Sequence, residues 1–470
     1  MKNNNYSIIL GKKLERNIEK LIYSFEKNIR LKIHNKIKGA YLRSIYISAL
    51  NSKNLLKLHK DFYTNNIKND YYFSEYEIFL LAKIFCKKFN IKTNIRVSKI
   101  KYFFNFFKII LKIIYWSTII KINFLNNYKK DTNYFFFGNL KDKTQLNFKS
   151  LINLNYLAID KQFLFRNSNP KFFKEIIQIK YNILKYPKYL EMHFKYLAYK
   201  ESLYKLSPKK IFFLEGDSPD QEIISQISKN LNLITCCFQW GAFIDRNVKF
   251  GFKKMSHNYY FCWSKIFLNT FKKYNKFTKF IIVGSPLIKK IKPKNKILFM
   301  MHPSTVMVSK EENDELYDLL KKLSKKFKNK IIIRYHPKFK TKFNLPDIIE
   351  HDPNKISLIR SLQQSFCCIS IRTSSILEAA RVGVIPILLR KNYNLYDNTV
   401  LLLKNINSRS LIFNDNNEAL NFIINLSNNK VLRNKFSKLL IKKYIGVIKF
   451  IGNQSKFQIQ KNIKIISKKL

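Results

Sequence analysis

Ile331-Ile332-Ile333-Arg334-Tyr335-His336-Pro337-Lys338, and then Phe366–Ile371 running into Arg372-Thr373-Ser374-Ser375-Ile376-Leu377-Glu378-Ala379-Ala380-Arg381-Val382-Gly383, is the stretch that decides the fold. Two short apolar runs each end in polar residues. The second passes directly into a helical pattern that stops at Gly383, before the apolar run Val384–Leu389. Strand, helix, strand with wholly apolar runs predicts a buried parallel sheet. His336 precedes a proline, which biases it toward a strand exit, where it can donate to a phosphate oxygen beside Arg334 and Lys338. Thr373, Ser374 and Ser375 can cap the helix and bind phosphate together, whereas capping alone needs one of them. Glu378 lies one turn inside, on the side of Ser374 and Ser375. There it either accepts from ribose or sugar hydroxyls or is simply a favourable first-turn charge. Ligands of parallel sheets gather at the carboxyl ends of strands, so both signals predict one anion-binding crevice.

Working toward the N-terminus, further apolar runs bounded by turn signals are Tyr134–Phe137, Tyr156–Ile159, Ile211–Glu215, Ile234–Gln239, Tyr259–Trp263 and Phe280–Gly284. A second series comprises Ile297–Met301, Ile331–Tyr335, Phe366–Ile371, Val384–Leu389 and Leu411–Asn414, with an amphipathic helix over Lys310–Phe327. Gly284-Ser285-Pro286 and the lysine-rich Lys289–Lys296 separate the two. The expected fold is therefore α/β: two facing Rossmann-like domains with a helical N-terminal extension. The expected division is a helical basic region over 1–130, an acceptor domain over 131–288, a donor domain over 289–440 and a C-terminal helix over 441–470.

With 88 Lys+Arg against 30 Asp+Glu the formal charge is +58, mostly lysine in a chain also rich in Asn and Ile. Part of that reads as coding bias; the remainder predicts adhesion to anionic partners. No zinc-ligand spacing, recognition-helix signature or RNA motif supports nucleic acid as the partner. The six cysteines lie mostly in apolar runs and read as small core residues, which predicts a reducing, cytoplasmic location. No apolar run long enough for a signal peptide opens the sequence. Over Lys101–Leu125, Lys101, Asn105, Lys108 and Lys112 recur at helical spacing and leave a wide apolar face. Two readings stay open for that face: peripheral contact with an anionic membrane, or packing on the protein's own core.

Glycine is scarce, only 10, so Gly216, Gly241, Gly251, Gly284 and Gly383 each suggest a backbone requirement. There is no GxGxxG and no GxxxxGK[ST], which disfavours a dinucleotide oxidoreductase or a phosphate-loop ATPase. Leu214-Glu215-Gly216-Asp217-Ser218-Pro219 closes a strand with two carboxylates, able to hold an acceptor hydroxyl and take its proton. Turn formation by Asp217 is the plainer alternative. Gln239, Trp240 and Gly241 would line the same cleft, and His302 and Ser304 form another polar strand exit that could meet the donor.

These segments resemble those of GT-B-fold glycosyltransferases that build bacterial capsule, lipopolysaccharide or teichoic-acid chains. Arg334-Tyr335-His336-Pro337-Lys338 looks like the group's HP motif, and Ser374-Ser375-Ile376-Leu377-Glu378-Ala379 like its SS-x-x-E-A motif. Gln239-Trp240-Gly241 looks like its Gln-His-Gly strand end with Trp in place of His. The order acidic-Gly, His-Pro, Ser-Ser also resembles bacterial sialyltransferases, in which an acidic residue is the base and the two motifs bind CMP. The resemblance implies a metal-independent enzyme with no cofactor beyond a CMP-, CDP- or UDP-linked sugar as donor. It implies Asp217 or Glu215 as base and His336 as leaving-group stabiliser. Arg334, Pro337, Lys338, Arg372, Thr373, Ser374, Ser375, Glu378, His302 and Ser304 would bind the donor. A glycan or lipid-linked acceptor at the cytoplasmic face of the inner membrane completes the expectation. A CDP-glycerol or ribitol phosphate transferase, a nucleotide-sugar 2-epimerase and a non-catalytic glycan-binding scaffold are the alternatives. The acidic motif departs from the group's two acids before a Gly, which leaves the base open between Glu215 and Asp217.

Overall fold

The computed structural model describes residues 17–27, 35–123, 134–138, 157–169, 186–241, 250–253, 255–301, 310–336, 347–353, 355–371, 373, 375–389 and 411–467. A helical segment over 17–27 precedes helices α1 (Asn35–Asn51) and α2 (Lys53–Tyr63), then β1 (Asp70–Phe73), α3 (Tyr76–Lys88), β2 (Asn94–Val97) and the 25-residue α4 (Lys99–Asn123). β1 and β2 pair in parallel. They interrupt a region whose periodicity reads as helix, because four-residue strands leave too short a pattern to stand out.

Next come β3 (Tyr134–Phe137), β4 (Leu157–Ile159), α5 (Lys161–Arg166), α6 (Pro187–Leu206), β5 (Lys210–Leu214), α7 (Pro219–Asn230), β6 (Ile234–Phe238), β7 (Tyr259–Cys262), α8 (Lys265–Lys272) and β8 (Lys279–Ile282). Their strands form one parallel sheet in the order β4-β3-β5-β6-β7-β8.

The second sheet comes from β9 (Lys296–Met301), α9 (Lys310–Lys326), β10 (Ile331–Tyr335), β11 (Ile348–His351), α10 (Leu358–Gln363), β12 (Ser365–Ser370), α11 (Ser375–Arg381), β13 (Ile385–Leu389) and β14 (Ile412–Phe413). Its order is β11-β10-β9-β12-β13-β14, again all parallel. β11 is a strand that the apolar runs alone do not reveal. It is an edge strand with Glu350 and His351 among its four residues, so it lacks the continuous apolar character of its neighbours. Three helices follow: α12 (Asn416–Asn428), α13 (Lys430–Tyr444) and α14 (Gly452–Ser467). The protein is thus α/β, with two Rossmann-like parallel sheets, each flanked by helices, and further helices ahead of them.

A buried parallel sheet is apolar on both faces and needs cover on both. On the first sheet, Phe135, Phe137, Ile211, Phe213 and Cys237 join the large core formed with the flanking helices. The alternate residues Phe136, Phe212, Leu214, Cys236, Phe238 and Phe261 point the other way, in line with the two-residue period of strands. They are covered by Ile459, Ile463 and Ile466 of α14. Lys210 Nζ donates to Ser467 Oγ at 2.7 Å and ties the same helix to the start of β5. The chain therefore returns from the second domain to finish the core of the first.

The return passes through a narrow seam. Lys449 N donates to Trp263 O at 3.0 Å, Ser285 N donates to Phe450 O at 2.9 Å, and Ser285 bridges Ile451 in parallel. Gly284 has φ +74°, and a Cβ there would lie 2.0 Å from Phe450 O. Gly284→Ala combines left-handed strain with a backbone collision and should destabilise the protein by roughly 2–4 kcal/mol. Thermal unfolding measures this, and an unchanged melting temperature would rule out the seam as drawn.

Candidate active site

In each sheet the strand order reverses once, and ligands of open α/β sheets bind where it does. In the first sheet β3 lies between β4 and β5, so the switch point lies at the carboxyl ends of β3 and β5. Glu215 leaves β5 at that place. In the second sheet β9 lies between β10 and β12, and its carboxyl end is flanked by the exits of those two strands. His336 N donates to Met301 O at 2.9 Å, continuing the ladder one residue past β10. Ser370 Oγ donates to Met300 O at 3.1 Å from the other side. Strands spaced ~4.8 Å apart put the exits of β10 and β12 about 10 Å from each other, a span suited to a phosphorylated ligand.

The acidic turn is strained. Glu215 has φ +73° and Gly216 has φ +89°. Gly216 N donates to Leu214 O at 3.0 Å, which closes a three-residue γ-turn around Glu215. A non-glycine residue at this φ is costly and is held only when its surroundings over-determine it. Here they do. Glu215 N donates to Phe238 O at 2.9 Å, and Tyr260 Oη donates to Glu215 O at 3.2 Å. Gly216 O accepts from Arg43 Nη1 and His257 Nε2, each at 3.3 Å. A Cβ at Gly216 would come within 2.7 Å of Cys237 Sγ.

Arg43 belongs to α1, so the region ahead of the first sheet reaches directly into the site. Its guanidinium pairs with Glu222 of α7 at 3.0 Å, and both side chains are buried. Burial opposes the charge on Glu222, but Arg43 and hydrogen bonds from Gln226 and Ser256 win and hold its pKa below the usual value. His257 is pushed down to about 4, chiefly by burial, and so is neutral. Since Gly216 O can only accept, Nε2 carries the proton and Nδ1 accepts from Ser225 Oγ at 2.8 Å. Arg43 and His257 brace the acidic turn of the candidate site, and motif reading misses both. The one sequence signal is Gly39, one helical turn before Arg43: a Cβ there would lie 2.9 Å from Glu222 Oε1, so α1 and α7 are in close contact at that point.

Asp217 sits two residues past Glu215, and Gly251 packs against it so closely that a Cβ on the glycine would lie 2.7 Å from Asp217 Cβ. Ser218, not Asp217, caps α7 by accepting from Gln221 N. The Gln239-Trp240-Gly241 segment does not line an opening in the way expected. Gln239 is buried and its amide is used internally: Nε2 donates to Gly241 O at 2.8 Å and Oε1 accepts from Trp263 N at 2.9 Å. Trp240 packs against the core that α14 covers.

At the edge of the second sheet the described residues are Arg334, His336, Thr373, Ser375 and Glu378. Pro337, Lys338, Arg372, Ser374, His302 and Ser304 lie outside the described residues. Thr373 Oγ1 accepts from Ser375 N at 3.2 Å, so the threonine hydroxyl is committed to the start of α11. Arg334 donates from Nη1 to Ile356 O at 2.5 Å. Its pKa is lowered by burial, against the favourable fields of Asp352 and Glu378. Burial raises Glu378 to about 7, despite a hydrogen bond with Ser375 and the nearby Arg334. A carboxyl whose pKa is raised to about 7 beside an arginine can receive an anion with little repulsion and accept or donate a hydrogen bond. Among the described residues no cluster of His, Cys, Asp or Glu is arranged to hold a metal ion.

Two sheets, each with a polar switch point, make up the architecture. No protein-family model matches the chain, and no curated protein matches it. Solved structures of similar shape include a protein described as a UDP-N-acetylglucosamine 2-epimerase from Listeria monocytogenes. It is 11% identical, with a TM-score of 0.42 over 65% of this chain and 90% of that one. The wall teichoic acid polymerase TagF is 11% identical, with a TM-score of 0.42 over 77% of this chain and 98% of that one. A UDP-GlcNAc 2-epimerase from Neisseria meningitidis, bound to UDP-GlcNAc, is 12% identical, with a TM-score of 0.42 over 70% and 99%. Likenesses this distant carry no argument about chemistry, which rests on the residues above.

Two outcomes follow from this geometry. Glu378 binds its proton more tightly folded, at about 7, than unfolded, at ~4.3, so its contribution is full below ~4.3 and is lost as pH rises toward 7. Glu77 of α3, also raised to about 7 by burial, acts with the same sign. Scanning calorimetry of Glu378→Gln should therefore show a smaller decline in melting temperature across this window than wild type, with Glu77 supplying what remains. Parallel curves would contradict the raised pKa of Glu378. At the acidic turn, Glu215→Gly should be more stable than Glu215→Ala by roughly 1 kcal/mol, since only glycine relieves the positive φ.

Proposed function

We propose that the protein is a glycosyltransferase that moves a sugar from a nucleotide-sugar donor to a surface glycan or glycolipid. The observation that carries this reading is the strained γ-turn at the first switch point, which presents Glu215 with its backbone held on all sides. Strain kept at a ligand-binding edge is the mark of a residue positioned for chemistry rather than for folding. Glu215 is accordingly the first candidate for the base that deprotonates the acceptor hydroxyl, with Asp217 second. The hydroxyl attacks the anomeric carbon of the donor. His336, Arg334 and the Thr373–Ser375 turn meet the negative charge that develops on the departing nucleotide phosphate. The order of the acidic, His-Pro and Ser-Ser segments keeps a CMP-linked donor among the candidates. All six cysteines are buried and unpaired by disulfides, which supports a reducing compartment.

The test has two arms. Thermal shift with CMP, CDP, UDP and GDP on wild type and Ser375→Ala reads the donor edge. One nucleotide should stabilise the wild type by several degrees and the variant by less. Donor turnover, followed with the sugar form of that nucleotide, should fall ~100-fold or more in Glu215→Gln and in His336→Ala. Polyol-phosphate transfer or 2-epimerisation would appear as a different product from the same donor edge. Binding without turnover would make the protein a glycan-binding scaffold, and no binding by any nucleotide would overturn the reading.

A further inference from the structure

Helix α4 has two unlike sides. Trp116 and Ile120 are buried, and Trp116 stacks on Phe165 of α5 with ring centroids 4.3 Å apart. Lys112 pairs with Glu191 of α6 on the same flank of the protein. This side is fixed to the first domain. The opposite side carries Ile100, Phe103, Phe104, Phe107, Leu111 and Ile114, spaced so that all fall on one helical face. They are exposed: Ile100 by 73%, Phe103 by 64%, Phe104 by 60% and Ile114 by 54%. Single exposed apolar residues are ordinary, but a continuous stripe along a helix ~37 Å long marks a surface that is covered in use.

We infer that this stripe is a docking surface for an anionic lipid bilayer, with α4 lying in the plane of the headgroups. Three observations on the helix select that occupant. Lys101 and Lys108 lie along one border of the stripe, where their stems can lie on the apolar layer and their ammonium groups can meet lipid phosphates. Tyr115, 55% exposed, stands at the same border, the usual place of an amphipathic ring at a membrane surface. A second copy of the chain would set these lysines, in a protein of formal charge +58, against their own kind, which disfavours a homodimer through this face. Although the helix is long and apolar enough to cross a bilayer by composition, its inward side is already packed on α5 and α6, and a spanning segment would have to abandon that packing.

The docking helix is linked to the acidic turn by charge. Lys195 of α6 bridges Glu191 at 3.4 Å and Asp220, in the first turn of α7, at 3.0 Å. Lys112, Glu191, Lys195 and Asp220 thus form one ladder from α4 to the helix that follows Asp217. Burial by itself would raise Glu191, yet Lys195 and Lys112 bring it down to about 2, so the ladder stays charged at physiological pH.

Flotation of the full chain with phosphatidylglycerol–phosphatidylcholine vesicles tests the inference without any nucleotide, so its failure and that of the transferase reading are separable. Wild type should float with the mixed vesicles and far less with pure phosphatidylcholine. Phe103→Ser/Phe107→Ser should bind ~10-fold more weakly or less while keeping the wild-type melting temperature, because both rings are solvent-exposed. Lys101→Glu/Lys108→Glu should weaken binding to the mixed vesicles alone. Equal flotation of wild type and the Phe103→Ser/Phe107→Ser variant would overturn the inference in favour of general adsorption by charge. So would a concentration-dependent dimer, seen by light scattering, that the same variant abolishes without any vesicle binding.

Discussion

The apolar second face of the first sheet, and the need to keep it from water, governs the arrangement of the whole molecule. Phe136, Phe212, Leu214, Cys236, Phe238 and Phe261 present a continuous apolar surface that, among the described residues, no helix nearby in sequence covers. The cover is α14, and to place it the chain must cross back from the second domain beside the outgoing crossing at Ser285. Two antagonistic demands meet there. The crossings must approach closely enough to exchange backbone hydrogen bonds, which leaves no room for a side chain at Gly284. They must also leave the carboxyl edges of both sheets, where the polar switch points lie, unobstructed.

The same economy appears at the acidic turn. A buried ion pair contributes little net stability relative to apolar packing, because desolvation offsets most of its attraction. Arg43 and Glu222 therefore make poor sense as a means of stabilising α1 against α7. They make better sense as a way of bringing a fixed donor to Gly216 O. Together with neutral His257 and Tyr260, that donor holds a backbone conformation the chain would otherwise leave. The helices ahead of the first sheet are in this respect part of the site's framework.

What could be read in advance followed from the range of the forces involved. The buried strands are runs of four to six apolar residues with sharp boundaries, so they are visible in sequence and fall within a residue or two of their places. Edge strand β11, with Glu350 and His351, has no such run. The Arg334–His336 and Thr373–Ser375 exits were legible because strand ends and helix starts are punctuated locally, by Pro337 and by a cluster of hydroxyls. Arg43 was not, since its contact spans 173 residues and nothing around it but Gly39 marks the helix as close to another element. Gln239 was misplaced for a related reason. A polar residue at a strand exit looks available for a ligand, yet its amide is taken up by Trp263 and Gly241, one of them 24 positions away.

The covering of the first sheet by α14 also bears on how the protein is made. Translation proceeds at ~5–20 residues per second, so the strand ending at Leu214 would emerge roughly 10–50 s before Ile459 does. Throughout that interval the phenylalanines of one sheet face lack the helix that covers them. The first domain cannot complete its fold as a unit while the second is being synthesised, which reverses the usual order in which the leading domain closes first. A nascent chain of this kind carries an adhesive surface for most of its synthesis, and its yield in a cell should depend on whatever shields that surface until the last helix arrives.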